Sequence, residues 1–454
     1  MIDGLKPYPT YRDSSVPWLG DVPEHWQVRR LKRVCRFAYG DSLPGDTRRH
    51  GTVAVFGSNG RVGTHVVANT HAPCIVIGRK GSFGKVNFSA QPVFAIDTTF
   101  FVDCRLTKAK LRWLWYLLDW LGLDAVSRDS AVPGLDREEA YQRVVSYPSD
   151  IAEQSAIVRF LDHADRHIRR YIAAKKKLIA LLNEQKQAII NQAATRGLDP
   201  DVRLKPSGAE WLGDVPEHWE VKRNGQLFIQ RNQTGFADLP ILEVSLKTGV
   251  RIRDFETSAR KQVMSDRDKY KLAAKDDIAY NMMRMWQGAV GVAPVDGLVS
   301  PAYVVARPLE GTDPRYYANL FRTAVYISEV DKCSRGIVKD RNRLYWEDFK
   351  QMASPCPPPD EQVWIANAID HSTCAANEAI DRVTREIALI REYRTRLITD
   401  VVTGKLDVRE AAANLPDEAE DWEGLEEPDT LAENGEGAED AESDAAMEED
   451  CRGA

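Results

Sequence analysis

A short stretch rich in glycine and basic residues is the first candidate for chemistry. Residues 78–85, with the sequence GRKGSFGK, follow a strand-like apolar run. A nucleotide-binding P-loop is excluded because five residues separate Gly78 from Gly84, and Val86 stands where that motif needs Ser or Thr. Glycine permits close approach to a ligand, so we predict a loop that contacts DNA phosphates or base edges, with a plain tight turn as the alternative. The candidate side chains are Arg79, Lys80, Ser82 and Lys85.

A second group of polar side chains lies in the later part of the chain. Residues 281–288, NMMRMWQG, combine amides and a guanidinium with an aromatic ring, the types that pair with adenine and guanine edges. The candidates for base contacts are Asn281, Arg284 and Gln287. Residues 334–343 carry four cations suited to phosphate contacts: Arg335, Lys339, Arg341 and Arg343. The alternative is that Met282, Met283 and Trp286 are core residues, with Arg284 on a solvated edge.

Signatures of catalysis are missing from the sequence. There is no Asn/Asp-Pro-Pro-aromatic motif for adenine methylation, no Walker loop, no HExxH and no paired carboxylates suited to a nuclease metal. His163 and His167 lie four residues apart on a predicted helix and could share a metal, but no third ligand stands nearby. We therefore expect no catalytic residue, no bound cofactor and no metal site in this chain.

The distribution of charge favours a polyanionic ligand. The net charge is −7, but residues 417–454 hold 17 Asp plus Glu and one basic residue. The preceding 416 residues hold 60 Lys plus Arg against 51 Asp plus Glu, a net charge of +9. A basic body could bind a polyanion, although a merely soluble surface is the alternative. We expect the acidic tail, residues 411–454, to be disordered.

Cysteine usage and hydropathy indicate the compartment. The seven cysteines are scattered without a CxxC pair, which argues against a disulfide framework and a zinc cluster. No apolar run reaches the length of a membrane span, and the first residues show no signal-peptide pattern. A reducing cytoplasm is the expected location.

Two internal repeats organise the chain. Residues 18–26, WLGDVPEHW, recur unchanged at 211–219, an offset of 193; we call this sequence the WLG repeat. A weaker repeat aligns the dipeptide EQ at 153–154 with EQ at 361–362, an offset of 208. Each dipeptide opens a long helical pattern, and the second pattern ends in the type of sequence that precedes the WLG repeat. We therefore predict two equivalent halves in circular order, with termini close together.

The helical patterns predict two long helices. From residue 151 to about 194 there is neither Pro nor Gly, and apolar residues recur in alternating steps of three and four, as along a coiled-coil seam. Residues 373–401 show the same alternation. Each helix would span roughly 65 Å at about 1.5 Å per residue. That length could set two modules in DNA grooves one to two turns apart, although a helical hairpin for dimerisation is the alternative.

The order of these parts resembles the specificity subunits (HsdS type) of bacterial Type I restriction–modification systems. In that family a target recognition domain, a helix, a second recognition domain and a second helix follow one another. The likeness is carried by the WLG repeat, the loop at 78–85 with DTT at 97–99, SAVPGL at 130–135, NMMRMWQG at 281–288 and SPAY at 300–303. It covers roughly residues 4–410 and leaves the acidic tail without a counterpart.

Together the pattern and the resemblance predict an α+β fold. Two globular α/β target recognition domains would be separated by two long helices that form an antiparallel coiled coil, in a pseudo-two-fold circular repeat. The predicted segments are recognition domains at 1–149 and 197–358, spacer helices at 150–196 and 359–410, and the acidic tail at 411–454.

The resemblance implies a non-catalytic subunit that reads a bipartite, asymmetric DNA site and positions its partners. Those partners would be double-stranded DNA, two methyltransferase (M) subunits on the helices, and motor–nuclease (R) subunits. S-adenosylmethionine, ATP and magnesium would belong to the partner subunits. Two alternatives stay open: a specificity subunit of a methylation-only complex, and a non-DNA coiled-coil adaptor whose two blocks bind proteins.

Overall fold

The computed structural model describes residues 5–125, 134–246, 248–253, 267–336 and 342–416. The chain divides into two units. Unit 1 combines Met1–Lys175 with Arg385–Glu426, and unit 2 combines Lys176–Thr384 with Glu427–Ala454. Residues 130–133 of the SAVPGL run and the acidic residues from 417 onward lie outside the described residues.

Both units mix short strands with helices. The strands of unit 1 are β1 (Tyr11–Asp13), β2 (Asp21–Pro23), β3 (Gln27–Arg30), β4 (Ala38–Tyr39), β5 (Val53–Gly57), β6 (Gly60–His65), β7 (Cys74–Gly78), β8 (Val86–Ser89), β9 (Phe94–Ala95), β10 (Thr99–Asp103) and β11 (Val144–Tyr147). The strands of unit 2 are β12 (Leu204–Pro206), β13 (Asp214–Pro216), β14 (Glu220–Arg223), β15 (Phe228–Arg231), β16 (Leu242–Ser245), β17 (Gly249–Ile252), β18 (Lys271–Ala273), β19 (Ile278–Asn281), β20 (Val290–Val292), β21 (Gly297–Val299), β22 (Tyr303–Pro308) and β23 (Ala353–Cys356). The helices are α1 (Leu111–Trp120), α2 (Arg137–Gln142), α3 (Ile151–Arg196), α4 (Pro314–Phe321), α5 (Ala324–Cys333), α6 (Trp346–Phe349), α7 (Pro359–Val402) and α8 (Arg409–Ala413).

The WLG repeat and its flanks fold the same way in both units. In unit 1, β1 pairs with β2 and β3 pairs with β11; in unit 2, β12 pairs with β13 and β14 pairs with β23. The offset of 193 relates β1, β2 and β3 to β12, β13 and β14 residue by residue, as for Tyr11 and Leu204. Gly20 and its counterpart Gly213 have φ of 64° and 68° before the second strand, a conformation that favours glycine. The sequence repeat is therefore a structural repeat.

Each unit is built around a four-stranded antiparallel sheet. The strand order is β4-β10-β7-β8 in unit 1 and β15-β22-β19-β20 in unit 2. Helix α1 packs on β7 and β8, and α4 packs on β20. In β7, Ile75 and Ile77 join the core on the α1 side, while Cys74 and Val76 join a second cluster with Ala95 of β9. Both faces of β7 are covered, which explains its continuous apolar sequence.

The central sheet of unit 2 is buried in the same manner. Ile278 and Tyr280 of β19 lie in the core that includes α4, whereas Ala279 between them packs with Leu242 and Val250 of the smaller sheet β16–β17. The alternation of side chains along a strand thus gives each unit two apolar layers around one sheet. The loops between these strands therefore begin and end in a sheet that is packed on both faces.

The long helices contact each other within unit 1. Asp165 of α3 accepts a hydrogen bond from the Arg394 guanidinium of α7, and Lys175 of α3 pairs with Glu386 of α7 at 2.9 Å. Residue numbers rise along α3 while those of the partners fall along α7, so these two segments run antiparallel in unit 1.

Each long helix ends shortly before a glycine in the left-handed conformation. In unit 2 the Gly197 N–H donates to the carbonyl oxygen of Ala193 at 3.1 Å, and in unit 1 the Gly404 N–H donates to that of Val401 at 3.2 Å. Their φ values are 78° and 81°, the left-handed conformation that commonly ends a helix. No helix in the described part of the chain combines the length and apolar character needed to cross a membrane.

Candidate nucleic-acid interface

The two stretches with predicted base and phosphate contacts occupy the same position in the two units. Residues 79–85 join β7 to β8, and residues 282–289 join β19 to β20. In each central sheet these strands are the third and fourth in order. We call residues 78–86 hairpin 1 and residues 281–290 hairpin 2. Two unrelated loop sequences are therefore carried on one framework, once in each unit.

Glycines hold hairpin 1 in a tight turn. The Gly78 N–H donates to the Lys85 carbonyl oxygen at 2.9 Å, and the Gly84 N–H donates to the Gly78 carbonyl oxygen at 2.8 Å. A Cβ on Gly84 would lie 2.1 Å from the backbone nitrogen of Asp124, and a Cβ on Gly78 would lie 2.2 Å from the Ser82 carbonyl oxygen. The close approach that these glycines permit is therefore to the chain itself.

The four candidate side chains of hairpin 1 differ in their surroundings. Lys80 and Ser82 are exposed. The Lys85 Nζ donates to the carbonyl oxygen and the Oδ1 of Asn59, both at 3.1 Å. Arg79 is half-buried, and its Nη1 donates to a backbone carbonyl oxygen at 3.0 Å. All three of Lys80, Ser82 and Lys85 are exposed, and Lys85 is in addition hydrogen-bonded to the neighbouring β5–β6 turn.

Hairpin 2 divides its side chains between core and surface. Asn281 is 6% exposed, and its Oδ1 accepts a hydrogen bond from a backbone N–H two residues on at 2.9 Å. Met285 is buried, and the partly buried Trp286 donates from Nε1 to a backbone carbonyl oxygen at 2.9 Å. Arg284 is half-buried and Gln287 is exposed. Met285 thus lies in the core and Met282 and Trp286 pack against it, while Gln287 is the candidate with the most open placement.

A second segment borders each hairpin at an equivalent point. In unit 1 the Leu135 N–H donates to the carbonyl oxygen of Arg79, the first residue after β7, at 2.9 Å. In unit 2 the Leu344 N–H donates to the carbonyl oxygen of Met282, the first residue after β19, at 2.9 Å. The repeated framework therefore extends to the segments before α2 and α6.

The predicted basic run forms this bordering segment in unit 2. Arg335 and Arg343 exchange backbone hydrogen bonds of 3.0 Å in both directions. The exposed Arg335 guanidinium also pairs with Asp348. Lys339 and Arg341 lie outside the described residues. The structure thus brings two of the four predicted cations beside hairpin 2.

Sequence reasoning does not find a cluster around Tyr39 in unit 1. The guanidinium carbons of Arg79 and Arg137 each lie 5.0 Å from the centre of the Tyr39 ring. Arg137 opens α2, directly after the segment that borders hairpin 1. These residues come from three separate elements, so no local sequence pattern connects them.

Two equivalent glutamates tie the WLG repeat to the long helices. Glu153 accepts a hydrogen bond from the Trp26 Nε1 at 3.0 Å, and Glu361 accepts one from the Trp219 Nε1 at 3.0 Å. The histidine before each tryptophan contacts the same carboxylate. In each unit the WLG repeat is therefore hydrogen-bonded to the first turn of a long helix, which is α3 in unit 1 and α7 in unit 2.

Burial disfavours the reactive thiolate form of three cysteines. Burial raises the pKa of the Cys74 thiol to about 11 and also raises the pKa of Cys35 and Cys333, and a thiol with a raised pKa is a poor nucleophile at neutral pH. The rings of His163 and His167 lie 4.4 Å apart. Within the described ranges, no group of three or more side chains is placed to hold a metal ion.

Comparison with known proteins gives structural relatives. No protein-family model matches the chain, and no curated protein sequence matches it. A chain from a study of complex assembly and conformational transition of the type I R-M system superposes with a TM-score of 0.57 at 11% identity, covering 84% of this chain and 98% of that one.

Two further structures are more distant in shape. The S subunit of a Type-I restriction-modification system from M. genitalium has 14% identity, a TM-score of 0.38 and coverage of 83% and 96% of the two chains. The HsdS subunit from Thermoanaerobacter tengcongensis has 14% identity, a TM-score of 0.40 and coverage of 85% and 98%. The first of these three structures, with a TM-score of 0.57, carries the conclusion about the fold. It confirms, for the fold, the family resemblance seen in the sequence. The protein has the mixed helix-and-strand fold of a chain of the type I R-M system.

Proposed function

We propose that this chain is the DNA sequence-specificity subunit of a Type I restriction–modification complex. The observation that carries the proposal is the placement of two unlike hairpins at the same position in two repeated frameworks. A protein that recognises two different half-sites needs one framework and two reading surfaces. The shared fold with a chain of the type I R-M system supports the same function.

In this proposal each unit reads one half of a bipartite DNA site. The exposed cations Lys80 and Arg335, with the half-buried Arg343, would contact phosphates and position the protein. Gln287 and Arg284 would contact base edges, which carry the sequence information. Because the two hairpins differ in sequence, the two half-sites would differ and the whole site would be asymmetric.

We further propose that α3 and α7 pair as an antiparallel coiled coil that sets the number of unread base pairs between the half-sites. The equivalence of the two halves would place them in a pseudo-two-fold, circular arrangement and give each half one surface for a methyltransferase subunit. Motor–nuclease subunits would complete the complex. S-adenosylmethionine would bind to the methyltransferase subunits and Mg-ATP to the motor subunits, and the complex would work in the cytoplasm.

The chain itself would contribute positioning. Methylation requires the target adenine to leave the base stack, and a partner can flip that base only if the duplex is held in register. Phosphate contacts would supply salt-dependent affinity, and base-edge contacts would supply discrimination.

The experiment that tests this function is a methylation map. The chain would be co-expressed with the modification subunit encoded beside it, in a host that lacks DNA methylation, and N6-methyladenine would be located across the genome. We expect one bipartite, asymmetric motif that disappears when the chain is omitted.

A hairpin replacement is the matched control for this map. Replacing residues 282–289 should change one half of the motif, and a change in both halves would contradict reading by separate units. A complex that methylates but binds no motor subunit would identify a methylation-only system. A chain that forms no complex and is retained by neither heparin nor duplex DNA would indicate the coiled-coil adaptor.

A further inference from the structure

Tyr39 presents a partly exposed aromatic ring on the surface of unit 1, and we call this ring the platform. Tyr39 ends β4 at the edge of the central sheet and is 49% exposed. Its ring lies 4.9 Å from that of the buried Phe100 on β10, measured between centres. Aromatic rings at this separation attract each other, so the buried Phe100 supports the ring of Tyr39 from inside the protein.

Two positive charges converge on this platform. Arg79 and Arg137 each place the guanidinium carbon 5.0 Å from the centre of the Tyr39 ring. Arg79 donates to the neutral carbonyl oxygen of Asp97 at 3.0 Å, and Arg137 pairs at 3.2 Å with Glu138, whose side chain is 70% exposed. Arg79, Arg137 and Glu138 together carry a formal net charge of +1. The arrangement therefore gathers like charges that an anion would stabilise.

We propose that Arg79 and Arg137, oriented by Tyr39, clamp the phosphodiester backbone of duplex DNA beside hairpin 1. Because both guanidinium carbons lie 5.0 Å from one ring centre, they are at most twice that distance apart. Successive phosphates of one strand rise about 3.4 Å along the duplex axis and lie farther apart through space, because the strand also winds around that axis. Two arginines within this limit can therefore hold one phosphate or two neighbouring ones. The planar guanidinium forms bidentate hydrogen bonds with phosphate oxygens.

Arg79 belongs to hairpin 1, and the segment that precedes Arg137 is bonded to the backbone of that hairpin. The Leu135 N–H donates to the Arg79 carbonyl oxygen at 2.9 Å, and Lys80 forms an antiparallel bridge with Gly134, three residues before Arg137. A phosphate held between the arginines would thus fix where Lys80 and Ser82 meet the DNA. The clamp would set the register of the first half-site and would carry no base preference of its own.

This inference rests on the proposed function, and its test separates the two. The affinity of the full-length chain for a labelled duplex of mixed sequence would be measured between about 50 and 200 mM salt. Arg137→Gln should weaken binding about tenfold and reduce the slope of log affinity against log salt by about 0.9, the value for one phosphate contact. Arg137→Lys, which keeps the charge, should retain the slope.

The platform is tested by a second pair of variants. Tyr39→Leu should weaken binding about two- to fivefold because it removes the cation–π contact with both arginines, whereas Tyr39→Phe keeps the ring and should bind as the unaltered chain does. Lys108→Gln is the control for the loss of one positive charge. Lys108 is exposed and follows the C-terminal end of β10, whereas Phe100, which pairs with Tyr39, lies near the N-terminal end of that strand. Thermal unfolding of each variant would exclude loss of the fold.

The outcomes have distinct meanings. If the unaltered chain binds DNA and Arg137→Gln behaves like Lys108→Gln, the clamp is wrong and the proposed function stands. If Arg137→Gln leaves DNA affinity intact but prevents association with the modification subunit, the cluster binds an acidic protein surface and the clamp is wrong. If the unaltered chain and its complex with the modification subunit bind no DNA, the proposed function and the clamp both fail.

Discussion

The backbone N–H of Asp407 donates a hydrogen bond to the carbonyl oxygen of Lys6 at 2.8 Å, in an isolated antiparallel bridge. The Tyr11 hydroxyl donates to the carbonyl oxygens of Gly404 and Lys405 at 3.2 and 3.1 Å. The segment after α7 is therefore attached to the segment before the WLG repeat inside unit 1. In unit 2 the corresponding connection is covalent, because the chain runs from α3 through Gly197 directly into β12.

We predict that Gly404→Ala destabilises the protein more than Gly197→Ala does. Both residues have positive φ, but a Cβ on Gly404 would lie 2.6 Å from the Pro23 Cδ, whereas one on Gly197 would lie 3.3 Å from the Trp219 ring. The left-handed conformation alone should cost about 1–2 kcal/mol, and the clash at Gly404 should add about 1–3 kcal/mol.

Urea unfolding of both variants would measure these losses. Gly208→Ala is the control for conformation alone, because Gly208 has φ of 77° and a Cβ there would meet nothing within 4 Å. Equal losses in unfolding free energy for all three variants would contradict the close contact between Gly404 and Pro23.

Acid should weaken the protein partly through Asp103. This buried carboxylate accepts hydrogen bonds from the His71 N–H and from the backbone and guanidinium of Arg105. Burial raises its pKa, but these hydrogen bonds and the Arg105 charge outweigh burial and hold the pKa below its ordinary value. A lowered folded pKa means that the unfolded chain binds more protons in acid, so this stabilisation is present above about pH 4 and is lost below it.

Asp103→Asn should therefore reduce the dependence of unfolding free energy on pH in the acid range. Asp46→Asn is a matched control, because Asp46 is exposed in the same unit. Stability curves would be measured by urea unfolding at successive pH values. Parallel curves for Asp103→Asn and the unaltered protein would show that Asp103 does not contribute to acid sensitivity.

The two lysines of hairpin 1 should behave differently. Lys80 is exposed, so Lys80→Ala should weaken binding to duplex DNA and reduce the salt slope by about 0.9. Lys85 is engaged with Asn59, so Lys85→Ala should mainly loosen the β5–β6 turn, which faster hydrogen exchange at its amides would reveal. A larger change in salt slope for Lys85→Ala than for Lys80→Ala would reverse these assignments.

Substitutions of the two amide residues of hairpin 2, Asn281 and Gln287, should have different effects. Asn281→Ala removes the bond to the Met283 N–H inside the protein and should cost about 1–2 kcal/mol of stability without changing base preference. Gln287→Ala leaves the core intact and should relax discrimination at one base pair by about 1–3 kcal/mol. Thermal unfolding and a methylation map of each variant distinguish these effects, and a new motif with Asn281→Ala would contradict the assignment.

The repeats in the sequence predict the parts of the fold that depend on identical residues. The identical WLG repeats predict equivalent structures in the two halves, and the strands around the two copies pair in the same way. The helix α3 (Ile151–Arg196) follows from a long segment without Pro or Gly that ends at Gly197. Such features are visible because they are local or repeated.

The equivalence of the two hairpins could not be predicted in this way. Their sequences differ, and the repeat offset changes from 193 to 208 between the two ends of the variable block, so the loops cannot be aligned by counting. The roles of single residues also depend on distant neighbours. Gly84 is required by the backbone of Asp124, and Arg79 meets Arg137 through Tyr39. These contacts form only when separate elements pack together.

The bond between Lys6 and Asp407 also bears on how such a gene could change. A permuted gene could begin between Gly197 and Leu204 and join the segment after α8 to residue 5 through a linker. Such a gene would keep the bridge between Lys6 and Asp407, and it would keep Val408 and Ala412 in the core of unit 1. Loop-closure entropy changes only slowly with chain length, so folding would tolerate the new order. The order in which the two repeated halves are encoded could therefore be exchanged without loss of these contacts.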